Sequence, residues 1–226
     1  MNKKLHIWII LLSLTSVLSA QKLTIEYQPG IGTFNMSGMK DILKNGLTNG
    51  LQGVKTTDNF PASFTQDIRL GIQFIGRHQA GILYAYQTTS GQNHLADYSG
   101  EYKLKIRNTG YKLGAFYRYF ILDSKVSPFV ELSTGVVICR SQLDEYFRVD
   151  MEQESYNTDL KGTNLFIQPA IGVRYRIMTR LAISASIGYE CDSNGKLHLK
   201  DNRKAKTDYS LKWNGLRASA GITLFL

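Results

Sequence analysis

Apolar and polar residues alternate along most of the chain beyond residue 22. In the first such run Leu23, Ile25 and Tyr27 fall on one side, with polar residues between them. A period of two places successive side chains on opposite faces of a β-strand. The alternation recurs in eight runs, which predict strands at 23–33, 64–74, 80–88, 109–120, 126–140, 163–177, 181–191 and 211–226.

The connections between these runs alternate in length. Tight turns are predicted at 76–79, 121–125 and 178–180, and long segments at 34–63, 89–108, 141–162 and 192–209. Transmembrane barrels show this alternation, with an even strand number, short periplasmic turns and long outer loops. A soluble β-sandwich has no reason to sort its connections in this way. The pattern therefore predicts an all-β fold, an eight-stranded antiparallel up-and-down transmembrane β-barrel with both termini on the periplasmic side.

The less apolar face of these strands carries glycine, serine and many charged residues. An eight-stranded barrel is only wide enough inside for side chains, and unpaired buried charges are costly. We therefore predict that acids and bases pair in a lumen charge network that plugs the barrel. Its predicted members are Glu26, Asp67, Arg69, Lys112, Arg118, Glu131, Arg174, Arg176, Glu190 and Arg217.

The first 20 residues have the architecture of a secretory signal peptide. Lys3 and Lys4 precede a short apolar stretch, and small residues lead up to Ala20. No later apolar run reaches the ~20 residues that a membrane helix needs. We therefore predict a signal peptide at 1–20 and one barrel domain at 21–226. Cys139 and Cys191 are expected to stay unpaired, because they fall on opposite faces of their strands.

Several stretches carry a resemblance to known proteins. They are GIGTFNM at 30–36, YKLGAFYRYF at 111–120 and the last strand at 216–226. In these stretches the chain resembles the small outer-membrane β-barrel families, the OmpX/OmpA-like barrels, and especially the porin-like barrel domain common in Bacteroidetes. The resemblance implies an outer-membrane protein whose last strand is recognised by the barrel-assembly machinery. Many such strands end on an aromatic residue, whereas here Phe225 precedes a terminal Leu226.

The first long segment contains a short helical pattern. Ser37 is a candidate N-cap, Met39, Ile42 and Leu43 share one face, and Gly46 is a candidate end of the helix. Such a helix would lie over the barrel mouth as a lid or binding element, or would simply pack its apolar residues.

Opposite charges mark the third and fourth long segments. Residues 141–162 are mainly acidic and residues 192–209 mainly basic, which predicts attraction within one barrel or between neighbours. The basic segment is also predicted to contact outer-membrane lipid, including lipopolysaccharide phosphates. The residues predicted to make this contact are Lys196, Lys200, Arg203, Lys204 and Lys206. A surface protein partner is a further expectation, and export makes nucleic acid an unsuitable partner.

Little in the sequence favours catalysis. After the signal segment the histidines are His78, His94 and His198, and none has a serine and an acid at recognisable spacing. No spacing suits a metal ion, and no cofactor is predicted. The sequence therefore predicts a non-enzymatic barrel with a structural or surface-interaction role. The alternatives are a small-solute pore and, less favoured, a lipid-modifying enzyme of the outer membrane.

Overall fold

The computed structural model describes residues 22–48, 55–56, 60–74, 76–98, 100–150, 152–193, 195–200 and 202–226. Side chains are described in these ranges except at 45–48, 55–56, 97, 203, 204, 206 and 208. The predicted signal peptide at 1–20 lies outside the described residues and stays a prediction.

Long strands account for most of the described part of the chain, which contains one helix. The strands are β1 (Lys22–Gly32), β2 (Lys55–Thr56), β3 (Ser63–Phe74), β4 (His78–Asp97), β5 (Gly100–Phe120), β6 (Val126–Val149), β7 (Glu152–Met178), β8 (Leu181–Asp192), β9 (Lys196–Leu199), β10 (Asn202–Ser210) and β11 (Gly215–Phe225). The helix, α1 (Ser37–Thr48), follows β1.

Eight strands close into a ring in the order β1, β3, β4, β5, β6, β7, β8 and β11, and β11 pairs back to β1. Every neighbouring pair is antiparallel, and the closing pair aligns Tyr27 with Ile222. The predicted eight-stranded up-and-down barrel is therefore confirmed. A closed barrel has no sheet edges, so all of its backbone N–H and C=O groups can be hydrogen-bonded between strands inside hydrocarbon.

The predicted long loops at 89–108 and 141–162 are wrong, because the strands continue through them. β4 and β5 stay paired up to Asp97 opposite Gly100, and β6 and β7 up to Val149 opposite Glu152. Here the outward face turns polar, so apolar–polar alternation fades while backbone pairing persists. Much of the predicted loop at 192–209 forms the hairpin of β9 and β10, and β9 pairs with β7. We call this extension of β4–β7 with β9 and β10 the projecting sheet.

Large apolar side chains point outward around the closed part of the barrel. Leu113 on β5 and Leu165 on β7 expose more than half of their surface, as do Ile82 and Ile171. Soluble monomers rarely expose a continuous apolar surface of this kind, whereas a membrane barrel carries such a band. Among the described residues, no helix has the length and apolar character that a membrane crossing requires.

Aromatic residues border this band at the end that carries the short turns. Phe74 stacks on His78 with ring centroids 5.7 Å apart, and the Nδ1 atom of His78 lies 2.7 Å from the hydroxyl of Tyr117. Tyr119 packs against the same imidazole. Amphipathic rings of this type are enriched where a membrane meets water.

A charge in the apolar band is expected to weaken the barrel. Leu113→Arg should lower the free energy of unfolding by about 2–4 kcal/mol, because this outward side chain would face hydrocarbon near the middle of the band. Urea unfolding in lipid vesicles, followed by the folded and unfolded bands on a gel, measures the change. The matched control is Ser155→Arg, on the exposed outward face of the projecting sheet; equal losses in both variants would contradict the membrane placement.

Candidate functional site in the lumen and above the membrane

Two clusters of charged side chains occupy the middle of the barrel. In the cluster nearer the short turns, Arg118 is fully buried between Glu26 and Glu131. Its Nη1 atom is 3.0 Å from Oε1 of Glu26, and its Nη2 atom is 2.7 Å from Oε2 of Glu131. Arg69 joins Glu131 at 2.5 Å and Asp67 at 2.7 Å. We call these five residues the lower charge cluster.

Neutral side chains complete the hydrogen bonding of these carboxylates. Gln79 donates from Nε2 to Oε1 of Glu26 at 2.7 Å, and Gln28 donates to Oε2 of Glu26 at 3.0 Å. The hydroxyl of Ser133 donates to Glu131. Buried ion pairs are tolerated when their remaining lone pairs are satisfied in this way.

The upper charge cluster consists of Lys112, Gln168, Glu190 and Arg217. The Nζ atom of Lys112 lies 3.1 Å from Oε2 of Glu190 and donates to Gln168 at 2.8 Å. Arg217 reaches the same Glu190 oxygen from Nη2 at 2.9 Å. The cavity lined by members of both clusters has a volume of about 30 Å³, which is room for about one or two water molecules.

Two predicted members of the lumen network lie apart from these clusters. Arg174 is buried, but among the described residues it forms no ion pair; its guanidinium carbon sits 3.6 Å from the ring centroid of Phe120. Arg176 is partly exposed near the short turns, with Nη2 3.9 Å from Asp123. Both side chains point inward, as predicted. Near the short turns, however, the inward face of β7 meets phenylalanine rings rather than the acids of the two charge clusters. The expected pairing of Arg174 with a lumen acid is therefore wrong.

Helix α1 fills the end of the lumen opposite the short turns. Met36, Met39 and Leu43 are fully buried, and Ile42 is nearly so. The Nδ2 atom of Asn93 on β4 donates to the carbonyl oxygen of Leu43 and so ties the helix to the barrel wall. The apolar face predicted from the sequence is therefore packed into the mouth.

The start of this helix differs from the prediction. The amide of Lys40 donates to the carbonyl oxygen of Met36 at 2.9 Å, so the helical bonding starts from Met36 and Ser37 lies in the first turn. Met36 has a positive φ of 48°, which turns the chain from β1 into the mouth. The helix extends to Thr48 rather than ending at Gly46.

Trp213 connects the helix region to the charge clusters and was not among the predicted site residues. It is fully buried, its Nε1 donates to Sγ of Cys139 at 3.2 Å, and its ring packs edge-on against Phe34 at 5.2 Å. Its carbonyl oxygen accepts a hydrogen bond from Arg217 at 2.6 Å. A Cβ atom added at Gly110 would approach the indole to 3.0 Å. In the sequence, the alternating apolar residues Leu104 and Ile106 are the sign of this buried core. They fell inside the segment 89–108, which was predicted to be a loop.

Comparison with solved structures agrees with this architecture. The chain is 13% identical to the outer membrane protein OprG from Pseudomonas aeruginosa, with a TM-score of 0.50 over 92% of this chain and 96% of OprG. This likeness shows the fold. The chain has the fold of a small outer-membrane β-barrel. The apolar band around a closed ring of strands independently requires a membrane.

Two other solved barrels are similar at lower scores. Neisserial surface protein A has 14% identity and a TM-score of 0.43 over 91% of this chain and 96% of its own. Ail, the attachment invasion locus protein of Yersinia pestis, has 13% identity and a TM-score of 0.37 over 91% of this chain and 97% of its own. No family model and no curated protein matches the chain. The narrower resemblance to the Bacteroidetes domain therefore stays a prediction.

The two cysteines of the barrel are both free, as expected from their strand positions. Cys139 is buried in the lumen and Cys191 is exposed on the outside. The three histidines are also separated. His78 belongs to the aromatic border, and the Nε2 atom of His94 lies 3.0 Å from Oε1 of Glu101. Within the described ranges, neither His94 nor His198 has a hydroxyl or thiol within hydrogen-bond distance, and no cluster of His, Cys, Asp and Glu suits a metal ion.

Above the apolar band, Asp159 lies where the acidic segment meets the basic segment. Asp159 on β7 accepts from Nη2 of Arg140 at 2.9 Å and from Nζ of Lys200 at 3.3 Å. Partial desolvation raises the pKa of this carboxyl, but the hydrogen bonds from Arg140 and Lys200 outweigh it and hold the pKa below its ordinary value. Lys196 begins β9, whereas the side chains of Arg203, Lys204 and Lys206 lie outside the described residues. Lipid contact by this group stays a prediction.

Proposed function

We propose that this barrel is closed to solutes and non-enzymatic, and that it acts at the cell surface through the projecting sheet. The observation that carries the proposal is the filling of the lumen at successive levels. Phe120 and Arg174 pack at the end with short turns, the two charge clusters occupy the middle, and α1 with Trp213 occupies the mouth.

Charge balance supports a closed lumen. In the two clusters the carboxylates of Glu26, Asp67, Glu131 and Glu190 are bonded to Arg69, Lys112, Arg118 and Arg217. A conducting pore needs charges that solvate passing ions, whereas these charges are engaged with one another at 2.5–3.1 Å. Separating them would leave buried groups unpaired, which is strongly unfavourable.

The projecting sheet supports a surface role. β6 and β7 have 24 and 27 residues, whereas a strand crosses a bilayer with roughly 9–11. The surplus length extends beyond the apolar band as a paired hairpin, on the side that faces outward in barrels with short periplasmic turns. A paired hairpin presents a surface of fixed shape to binding partners, whereas a flexible loop does not.

Single-channel recording in a planar bilayer tests the closed lumen. The refolded protein is expected to give no conductance steps, after a heat-modifiable gel shift has verified folding and a known porin has verified the bilayer. Reproducible ion-selective steps would overturn the proposal in favour of a small-solute pore. Glu190→Gln should then alter the ion selectivity, since it removes the carboxylate shared by Lys112 and Arg217.

The non-enzymatic part has its own test. Incubation of the refolded protein with lipopolysaccharide should leave the mass of its lipid A unchanged on mass spectrometry. Loss or gain of an acyl chain would contradict the proposal, and His94→Ala would then show whether the His94–Glu101 pair is responsible.

A further inference from the structure

A group of cations lies on the outward face of the projecting sheet, immediately beyond the apolar band. It comprises Lys105 and Arg107 on β5, Arg140 on β6 and Lys161 on β7, and we call it the cation belt. Within the described residues, Lys105, Arg107 and Lys161 have no carboxylate within 4.0 Å, and only Arg140 is paired, with Asp159. The belt was not among the predicted site residues, because Lys105, Arg107 and Lys161 were assigned to loops and Arg140 to the end of a predicted strand.

The strand register brings three of these cations together. Arg140 stands directly opposite Lys161, and Arg107 is opposite Gln142, one diagonal step from Arg140. Directly opposed residues have Cβ atoms about 4.5–5.5 Å apart, and diagonal neighbours are about 7–8 Å apart. Like charges directly opposite one another destabilise a sheet. A bound anion would relieve this repulsion.

The height of the belt matches the level of lipid headgroups. On β6 the outward residue Ile138 is followed two positions later by Arg140. On β5 and β7, Arg107 and Lys161 lie four positions beyond the outward residues Tyr111 and Leu165. At about 3.4 Å per residue, the cations start roughly 7–14 Å along the strands from the last apolar side chain. Headgroups lie directly outside the hydrocarbon core at this level.

A cleft beside Arg107 adds a polar pocket at the same level. It has a volume of about 350 Å³, and its lining includes Tyr86, Thr88 and Ser90 of β4 together with Arg107. Ser90 is directly opposite Arg107 in the sheet. Hydroxyl groups beside a guanidinium are suited to phosphate oxygens, which accept hydrogen bonds and pair with arginine in a bidentate manner.

We propose that the cation belt binds a phosphate group of an outer-leaflet glycolipid, with Arg107, Arg140 and Lys161 as the contacting residues. Asp144 opposite Lys105 and Asp159 beside Arg140 reduce the positive charge but leave it dominant. A soluble polyanion is less suited to this surface, because it would first meet the exposed acids Glu152 and Glu154 at the tip of the hairpin. The inference deepens the proposed surface role and rests on it.

Binding of lipid A to the refolded protein tests the site. Native mass spectrometry from detergent micelles would measure the affinity for diphosphorylated lipid A and for its dephosphorylated form. Arg107→Gln/Arg140→Gln/Lys161→Gln is expected to weaken binding of the diphosphorylated form by about tenfold or more, because charge-assisted hydrogen bonds to phosphate are lost. The dephosphorylated lipid should bind wild type and variant equally weakly.

A matched control removes the same charge at the other rim. Arg77→Gln/Lys125→Gln/Arg180→Gln changes three exposed cations near the short turns and should leave lipid A affinity unchanged. Equal affinity of wild type and belt variant would overturn the proposal, as would equal binding of both lipids by wild type. Tighter binding of a heparin-derived octasaccharide, lost in the belt variant, would instead assign the surface to a soluble polyanion. Conductance of the belt variant is recorded in parallel, so that an open lumen is distinguished from failed lipid binding.

Discussion

Arg118→Ala is expected to lower the free energy of unfolding by about 3–5 kcal/mol, because it leaves two buried carboxylates without their shared partner. Glu26 and Glu131 are both held by this guanidinium, and neither is accessible to bulk solvent. Urea unfolding in lipid vesicles, followed by gel shift, measures the loss. A barrel that no longer refolds would be the extreme form of the same result.

Two comparison variants separate charge from packing at this position. Arg118→Met with Glu26→Gln and Glu131→Gln removes all three charges and should recover part of the lost stability, since no unpaired charge remains. Arg140→Ala breaks an exposed pair with Asp159 and should change stability by about 1 kcal/mol or less. If Arg118→Ala behaved like Arg140→Ala, the lower charge cluster would not hold the barrel together.

Trp213→Ala is expected to lower the free energy of unfolding by about 3–5 kcal/mol, because it empties a large volume in the middle of the apolar mouth. The indole is fully buried against Phe34, Cys139 and Gly110. The same urea titration, read by gel shift, measures the loss. In the wild type, where Trp213 is the only tryptophan after Trp8, its fluorescence should resist quenching by acrylamide.

Tyr209→Ala provides the matched control, since this aromatic residue lies close in sequence but is exposed. Its stability is expected to stay within about 0.5 kcal/mol of the wild type. A Trp213→Ala barrel as stable as the Tyr209→Ala barrel would contradict a cooperative role for the packed mouth. Ready quenching of wild-type fluorescence would do the same.

Strand alternation was a sufficient signal wherever one face of a strand meets lipid. In β1 and β11 the outward residues are apolar without interruption, so their period of two located the strands and their inward charges. Glu26 and Arg217 were assigned to the lumen in this way, and both are buried there. The physical reason is that hydrocarbon imposes the same requirement on every outward residue of the band.

The alternation of apolar and polar residues did not reveal the strands where their outward face meets water instead of lipid. Lys105 and Arg107 alternate with the buried Leu104 and Ile106, yet their surroundings are polar enough to resemble a loop. Pairing there depends on backbone hydrogen bonds with neighbouring strands, which a local pattern does not contain. The partner of Arg174 was missed for a similar reason: the cross-barrel neighbour Phe120 is set by the stagger of the strands, not by sequence spacing.

The seam between β1 and β11 has a consequence for how the chain reaches its folded state. Tyr27 meets Ile222 there, so the contact that completes the ring joins the two most distant strands of the sequence. Contacts of such long range carry the largest loop-closure entropy and slow the folding of β-proteins. Before this contact forms, the sheet has two open edges, and hydrocarbon does not tolerate the unpaired backbone groups they expose. Insertion is therefore expected to be all-or-none, and a chain that ends before β11 should be left without a membrane-stable state rather than with a seven-stranded one.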